Sequence, residues 1–202
     1  DSVPGIENAI DYIADLRQAE DKSELPVART VVVIGGGMTA IDIAVQSKRL
    51  GADRVDIVYR RGPEQMGASP FEQNLAQTNG VTIHNWMQPV GLQRHDAGIE
   101  IELARTKLDK AGTLKATGET SMLEADVVFK AIGQRLADEK LGDELNGFAL
   151  EYGRIVVDET QATSIEGVWA GGDCAAGGDD LTVSAVQHGK VAALSIDRHL
   201  RS

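Results

Sequence analysis

The 202-residue sequence predicts an α/β fold: a parallel sheet wound with helices, joined by an antiparallel β-meander and followed by a smaller, glycine-punctuated segment. Three observations carry this. The run Val31-Val32-Val33-Ile34 is apolar and β-branched without alternation, as in a strand buried on both faces. The stretch around it alternates strand and helix patterns, which builds parallel sheets. Further on, helical patterns give way to polar–apolar alternation, as in Ile99-Glu100-Ile101-Glu102-Leu103, the mark of a half-exposed antiparallel strand.

In chain order, Ile6, Ala9, Ile10, Ile13 and Leu16 recur at helical spacing and predict an amphipathic helix over 4–19. A charged stretch with Pro26 breaks that pattern. After the 31–34 strand, Gly35-Gly36-Gly37 turns the chain into a helix over 39–50, closed by Gly51 as a left-handed C′ residue. A strand over 54–59 follows, then a Gly62-Pro63 break, a helix over 71–78, an Asn79-Gly80 turn and a strand from 81. Three strands with no helices between them are expected over 89–94, 98–108 and 122–131, the last returning toward the core through Ala125-Asp126-Val127-Val128-Phe129. Residues 136–149 read as a polar, turn-rich linker. Short strands over 154–158 and 168–170 precede a last helix over 182–200, with Val186, Gly189, Ala193, Ile196 and Leu200 on one face.

Composition narrows the function. A net charge of −11 disfavours nucleic acid, which is gripped by clustered Lys and Arg, and an anionic membrane surface. Cys174 is the single cysteine, so the chain forms no internal disulfide, no CxxC pair and no cysteine-ligated iron–sulfur cluster of its own. No apolar run reaches membrane-span length and no signal-peptide pattern opens the chain, which points to the cytoplasm. His84, His95, His188 and His199 lack metal-ligand spacing, so no metal site is expected. His188 is expected to pack on a surface or between domains, Cys174 to pack, and Asp179-Asp180 to cap the last helix. Glu100 with Glu102 and Asp138 with Glu139 read as exposed acids.

The chemistry lies in glycine turns. Gly35, Gly37 and Ala40 fit G-x-G-x-x-A between a buried strand and a helix, the phosphate-binding turn of a Rossmann-like unit. Gly35 lets the chain leave the strand sharply, Gly37 leaves room for a diphosphate against the backbone, and Ala40 lets the helix pack close. Gly36, Met38 and Thr39 complete the turn, where the helix N-terminus offers free N–H groups. The second strand ends in Tyr59-Arg60-Arg61 rather than in the acid that binds ribose hydroxyls in NAD-preferring sites. Two guanidiniums there suit a 2′-phosphate, hence NADPH over NADH. A second turn, Gly167-Val168-Trp169-Ala170-Gly171-Gly172-Asp173-Cys174, places an acid at a strand end, where it can accept from a sugar hydroxyl. The helix after Leu181-Thr182-Val183 can aim N–H groups at an electron-rich ring.

Taken in order, the triple-glycine turn, Tyr59-Arg60-Arg61, Ala131-Ile132-Gly133-Gln134 and Ala170-Gly171-Gly172-Asp173 resemble the two-dinucleotide flavoprotein family over nearly the whole chain. The similarity is greatest to its branch holding the glutamate synthase small subunit and the dihydropyrimidine dehydrogenase flavoprotein subunit, and covers only the C-terminal half of such proteins. The resemblance implies an interdomain helix or linker over 1–27, an NAD(P)-binding Rossmann domain over 28–134 and the C-terminal part of an FAD-binding domain over 135–202. It implies roles too. Gly35, Gly37, Met38, Thr39 and Ala40 would hold the nicotinamide cofactor's diphosphate, and Arg60 and Arg61 its adenosine-ribose end. Gly133 would mark the domain crossing, Gly172 and Asp173 would contact the ribityl-phosphate region of FAD, and Thr182 and Val183 the flavin ring. Hydride would pass between NAD(P)H and FAD without a side-chain catalyst, and electrons would leave through iron–sulfur clusters outside this chain to a partner subunit.

Two features depart from the family. Its earlier glycine fingerprint and cysteine-rich cluster ligands are not in this sequence, and the loop Gln65-Met66-Gly67-Ala68-Ser69 lacks the further Arg of some relatives. The dihydropyrimidine branch is also associated with NAD, so NAD stays open beside NADP. The alternative function is a non-catalytic nucleotide-binding module or truncated fragment without flavin.

Overall fold

Val31, Val32 and Val33 are all at most 2% exposed at the centre of a five-stranded parallel sheet in the computed structural model. The structure describes residues 4–22, 25–133, 147–179 and 181–201. Two compact units divide it, residues 1–133 and 134–202.

In the first unit the parallel strands are β1 (Ile6–Asn8), β2 (Thr30–Ile34), β3 (Arg54–Tyr59), β4 (Thr82–Asn85) and β8 (Val127–Lys130), side by side in the order β1-β8-β2-β3-β4. The helices α1 (Ala9–Gln18), α2 (Met38–Leu50) and α3 (Pro70–Thr78) cover one face, where Ala9, Ile13, Val31, Val33, Ile41, Ile57, Ala76 and Phe129 share a core. An antiparallel meander of β5 (Met87–His95), β6 (Gly98–Leu108) and β7 (Leu114–Ala125) covers the other, where Val32, Val58 and Val128 meet Ile99, Ile101 and Leu103. The unbroken apolar run of β2 thus feeds two cores by alternate residues. Asp56, 5% exposed at its side chain, lies 2.7 Å from His84 Nε2 and 2.9 Å from Arg54 Nε. Arg54 also donates to Glu124 O of β7, which ties the two sheets together.

The first unit departs from the sequence expectation in three ways. The segment expected as one helix over 4–19 begins as β1, because Ile6–Asn8 pairs in parallel with Val128–Lys130 and helix α1 starts only at Ala9. The strand expected over 122–131 is two strands. Asp126 breaks it by bonding to Thr30 with both its own N–H and its carboxylate, each at 2.8 Å, so β7 stays in the meander and β8 enters the parallel sheet. Strand β7 also begins well before residue 122, at Leu114, through a polar stretch exposed on both faces that pairs with β6.

In the second unit β9 (Leu150–Glu151) and β10 (Arg154–Ile155) form a short hairpin. The expected strand over 168–170 is reduced to an isolated bridge between Ala162 and Trp169. The last helix, α4 (Thr182–Arg201), buries no residue, and Val186 and Leu200 on its expected inner face are 69% and 78% exposed. Trp169 is fixed to α4 by its indole N–H, which donates to Ser195 Oγ at 2.9 Å. Most of the linker expected over 136–149, with Gln134, Asp138, Glu139 and Asp180, lies outside the described residues.

Candidate functional site

Strand β2 delivers the first glycine turn to the carboxyl end of the parallel sheet, where open α/β sheets bind ligands. Each glycine answers a different constraint. Gly35 has φ +150°, and a Cβ there would stand 2.2 Å from Ala131 O, so the sharp exit from β2 admits no side chain. At Gly36 a Cβ would run into the Tyr59 ring, which lies against this residue at the end of β3. At Gly37 a Cβ would find nothing within 4 Å, so the space in front of this residue is open. Ala40 is fully buried in the helix-side core, which brings α2 close against the sheet.

Gly37 is also the N-cap of α2. No side chain caps the helix there and no acid lies in its first turn. Its leading amides are therefore available to an anion, at the end of the helix that carries partial positive charge. Met38, 39% exposed, and the half-buried Thr39 form that first turn. The contrast with α3 is direct. Ser69 Oγ accepts from Glu72 N–H and the Glu72 carboxylate accepts from Ser69 N–H at 2.7 Å, a capping box that closes that helix end.

Arg60 and Arg61 follow Tyr59 at the tip of β3. Their carbonyls are held: Thr106 Oγ1 donates to Arg60 O at 2.7 Å and Trp86 N–H donates to Arg61 O at 3.0 Å. Their side chains are exposed, and among the described residues neither guanidinium makes an ion pair or hydrogen bond. The backbone is fixed and the charge is left over. Gly133, with φ +100°, is exposed near the end of the first unit.

The second glycine turn, in the second unit, is built differently. Gly172 has φ +71° and opens a short 3-10 turn over Gly172–Cys174. Its N–H donates to His188 Nδ1 at 3.0 Å, and a Cβ on Gly171 would meet His188 Cβ at 2.7 Å. The Cys174 thiol donates to Gly171 O at 3.2 Å. Asp173 is exposed, and among the described residues its carboxylate accepts no hydrogen bond. Thr182 and Val183, at the start of α4, are exposed, Val183 by 73%. His188 was expected as a surface or interdomain side chain; it is an internal anchor of this turn, and nothing in the sequence signals a contact across 16 residues. Tyr59 and Ala68, whose N–H donates to Gly36 O at 3.0 Å, are further parts of the first turn that its glycine spacing does not reveal.

No helix among the described residues is long and apolar enough to cross a membrane, and no three His, Cys, Asp or Glu among them gather as a metal site.

Known proteins resemble this chain in sequence and in fold. Residues 2–189 match the family model described as pyridine nucleotide-disulphide oxidoreductase. The chain is 34% identical over 98% of its length to the NADP(+)-dependent formate dehydrogenase subunit beta of Moorella thermoacetica, covering 28% of that protein. It is 33% identical over 82% of its length to the glutamate synthase [NADPH] small chain of Escherichia coli, covering 37% of it. It thus spans about a third of the length of these relatives. The fold of T. acidophilum thioredoxin reductase superposes with a TM-score of 0.77 at 22% identity, over 98% of this chain and 58% of that one. The glycine turn, the sheet that carries it and the match along nearly the whole sequence lead to one conclusion: the chain belongs to the pyridine nucleotide-disulphide oxidoreductase family, the two-dinucleotide flavoproteins.

Proposed function

We propose that this chain is the NAD(P)H-docking portion of a flavin-dependent oxidoreductase. The observation that carries the reading is the open space at Gly37 in front of the uncapped N-terminus of α2. A diphosphate can approach the backbone there, receive the amides of Gly37, Met38 and Thr39, and gain from the helix dipole. Gly35, Gly36 and Ala40 shape the turn that presents those amides. The guanidiniums of Arg60 and Arg61, unpaired among the described residues, would meet the 2′-phosphate of NADPH. The formate dehydrogenase relative is NADP(+)-dependent and the glutamate synthase relative is named for NADPH, which favours the same cofactor.

In the second unit the free carboxylate of Asp173 suits a ribityl hydroxyl of FAD, and Thr182 and Val183 present exposed groups for the flavin ring. Gly172 would take part by lacking a side chain, since its N–H is engaged by His188. Gly133 would serve the passage between the two domains. Bound NAD(P)H and FAD would supply the hydride exchange, and the protein's share would be to orient the two rings and exclude water. With one cysteine in the chain, a dithiol relay within it is not part of the reading. Electrons would continue through iron–sulfur clusters outside this chain to a catalytic partner subunit of the glutamate synthase or dihydropyrimidine dehydrogenase type. The relatives' designation as a subunit and a small chain supports such a partner. A cytoplasmic location belongs to the same proposal.

The test is nucleotide binding by the whole protein and by its Arg60→Ala/Arg61→Ala double variant. NADPH should bind more tightly than NADH, and the double variant should lose about 10- to 100-fold for NADPH alone. Equal affinities in the unaltered protein sink the NADP preference; no binding of either sinks the docking. A yellow protein that reduces a dye with NADPH supports the flavoenzyme. A colourless one that binds nucleotide without turnover supports a non-catalytic nucleotide-binding module instead.

A further inference from the structure

Gln73 lies half-buried on α3, outside the two glycine turns. Its side-chain amide donates to Pro63 O at 3.1 Å and to Ala68 O at 2.9 Å. One amide group thereby holds both ends of the loop over 63–68. The middle of the loop is braced as well: the Tyr59 hydroxyl donates to Gln65 O, and Gly62 N–H donates to Gln65 Oε1 at 2.9 Å.

The far end of this loop rests on the first glycine turn. Ala68 N–H donates to Gly36 O at 3.0 Å, and a Cβ built on Gly67 would stand 3.6 Å from Gly37 Cα. The peptide joining Gly36 to Gly37 is planar and trans, so the Gly36 carbonyl and the Gly37 N–H point in opposite directions. Holding the carbonyl against the loop turns the Gly37 N–H away from it. Among the described residues nothing accepts that N–H.

We propose that Gln73 is a positioning residue for the cofactor diphosphate: it clamps the loop over 63–68, and the loop sets the aim of the Gly37 amide. The inference rests on the reading that this turn binds NAD(P)H. It makes a demand that the arginine pair does not. The diphosphate is common to NADPH and NADH, so loosening the clamp must weaken both equally, whereas the arginines act only on the 2′-phosphate.

The experiment uses the whole protein with Gln73→Met, which keeps the length but has no donor, and Gln73→Glu, whose carboxylate cannot donate at neutral pH. Dissociation constants for NADPH and NADH should both rise about tenfold in each variant. KM should rise in step while kcat holds. Gln73→Lys, which keeps donors on a side chain of similar reach, should recover most of the loss. Should the methionine variant fail to fold, the glutamate and lysine variants give the same contrast. Unchanged affinity in the donor-less variants overturns the proposal, as does a loss confined to NADPH, or a fall in kcat that lysine does not repair. If the unaltered protein binds neither nucleotide, the docking reading fails first and takes this inference with it.

Discussion

The two glycine turns share a spelling and differ in who reaches their amides first. Gly35-Gly36-Gly37 ends on a glycine with open space before it and an uncapped thirteen-residue helix behind it. Gly171-Gly172 is packed around one imidazole, whose Nδ1 takes the Gly172 N–H and whose Cβ fills the space beside Gly171. Glycine removes a side chain from both, but only in the first does that leave backbone donors to a ligand. In the second, the room is used by the protein itself, and the exposed Asp173 carboxylate is the group left over. A glycine pair in a sequence thus marks close approach without saying what approaches.

The sharpest way to break this comparison is to add one methyl group at two positions of the first turn. Gly35→Ala sets a Cβ against Ala131 O at a backbone conformation that disfavours side chains. It should destabilise the first unit by about 2–5 kcal/mol, seen as a fall in denaturant midpoint. Gly37→Ala meets no protein atom within 4 Å and sits at φ −93°, which alanine adopts freely. Stability should hold while NADPH affinity drops by about 100-fold or more, because the methyl stands where the diphosphate must come. An alanine at position 37 that still binds nucleotide normally would remove the distinction between the turns.

His188→Ala sharpens the other side. It leaves the Gly172 N–H without its acceptor and opens a gap beside Gly171 and Gly178, where a Cβ would lie 2.9 Å from the imidazole Cε1. The second unit should lose about 1–3 kcal/mol, while the NADPH dissociation constant at the first turn stays as it was. Unfolding followed by tryptophan fluorescence in a Trp86→Phe background, where Trp169 alone reports from the second unit, reads the loss. The bond requires the imidazole tautomer with its proton on Nε2.

How far the sequence reaches can be judged on single residues. Val31 to Ile34, the need for glycine at 35 and the burial of Ala40 follow from local pattern, since a buried parallel strand and its turn write themselves into adjacent residues. Gly51 likewise closes α2 in the left-handed region, with φ +115°. Strand β1 was not legible, because three residues become a strand only through pairing with Val128–Lys130, far along the chain. The polar start of β7 hid for the same reason. At the site, the residues that touch a ligand are suggested by spacing, but those that aim them are not. Gln73 and His188 act through hydrogen bonds to loops distant in sequence, and a glutamine or histidine on a helix carries no local mark of that duty.

The smallest expected effect lies in the loop before Trp169 and tests whether the second unit is held by such polar anchors in general. Asp158 Oδ1 accepts from Thr160 Oγ1 at 2.7 Å, Thr160 N–H at 2.8 Å and Ala162 N–H at 3.0 Å. The Thr160 hydroxyl, then the backbone amides, hold its carboxyl below the ordinary value of 3.8. A depressed acid contributes stability that is complete above its unfolded value and is lost as pH falls through the lower folded one. The second unit should therefore soften below pH 3.8, and Asp158→Asn should flatten that part of the profile while changing little at neutral pH. The carboxylate is fully exposed, so solvent screens the effect and its size stays well under that of His188→Ala. An acid profile identical in the asparagine variant and the unaltered protein would show that the turn is fixed by its backbone alone, leaving His188 as the anchor that matters.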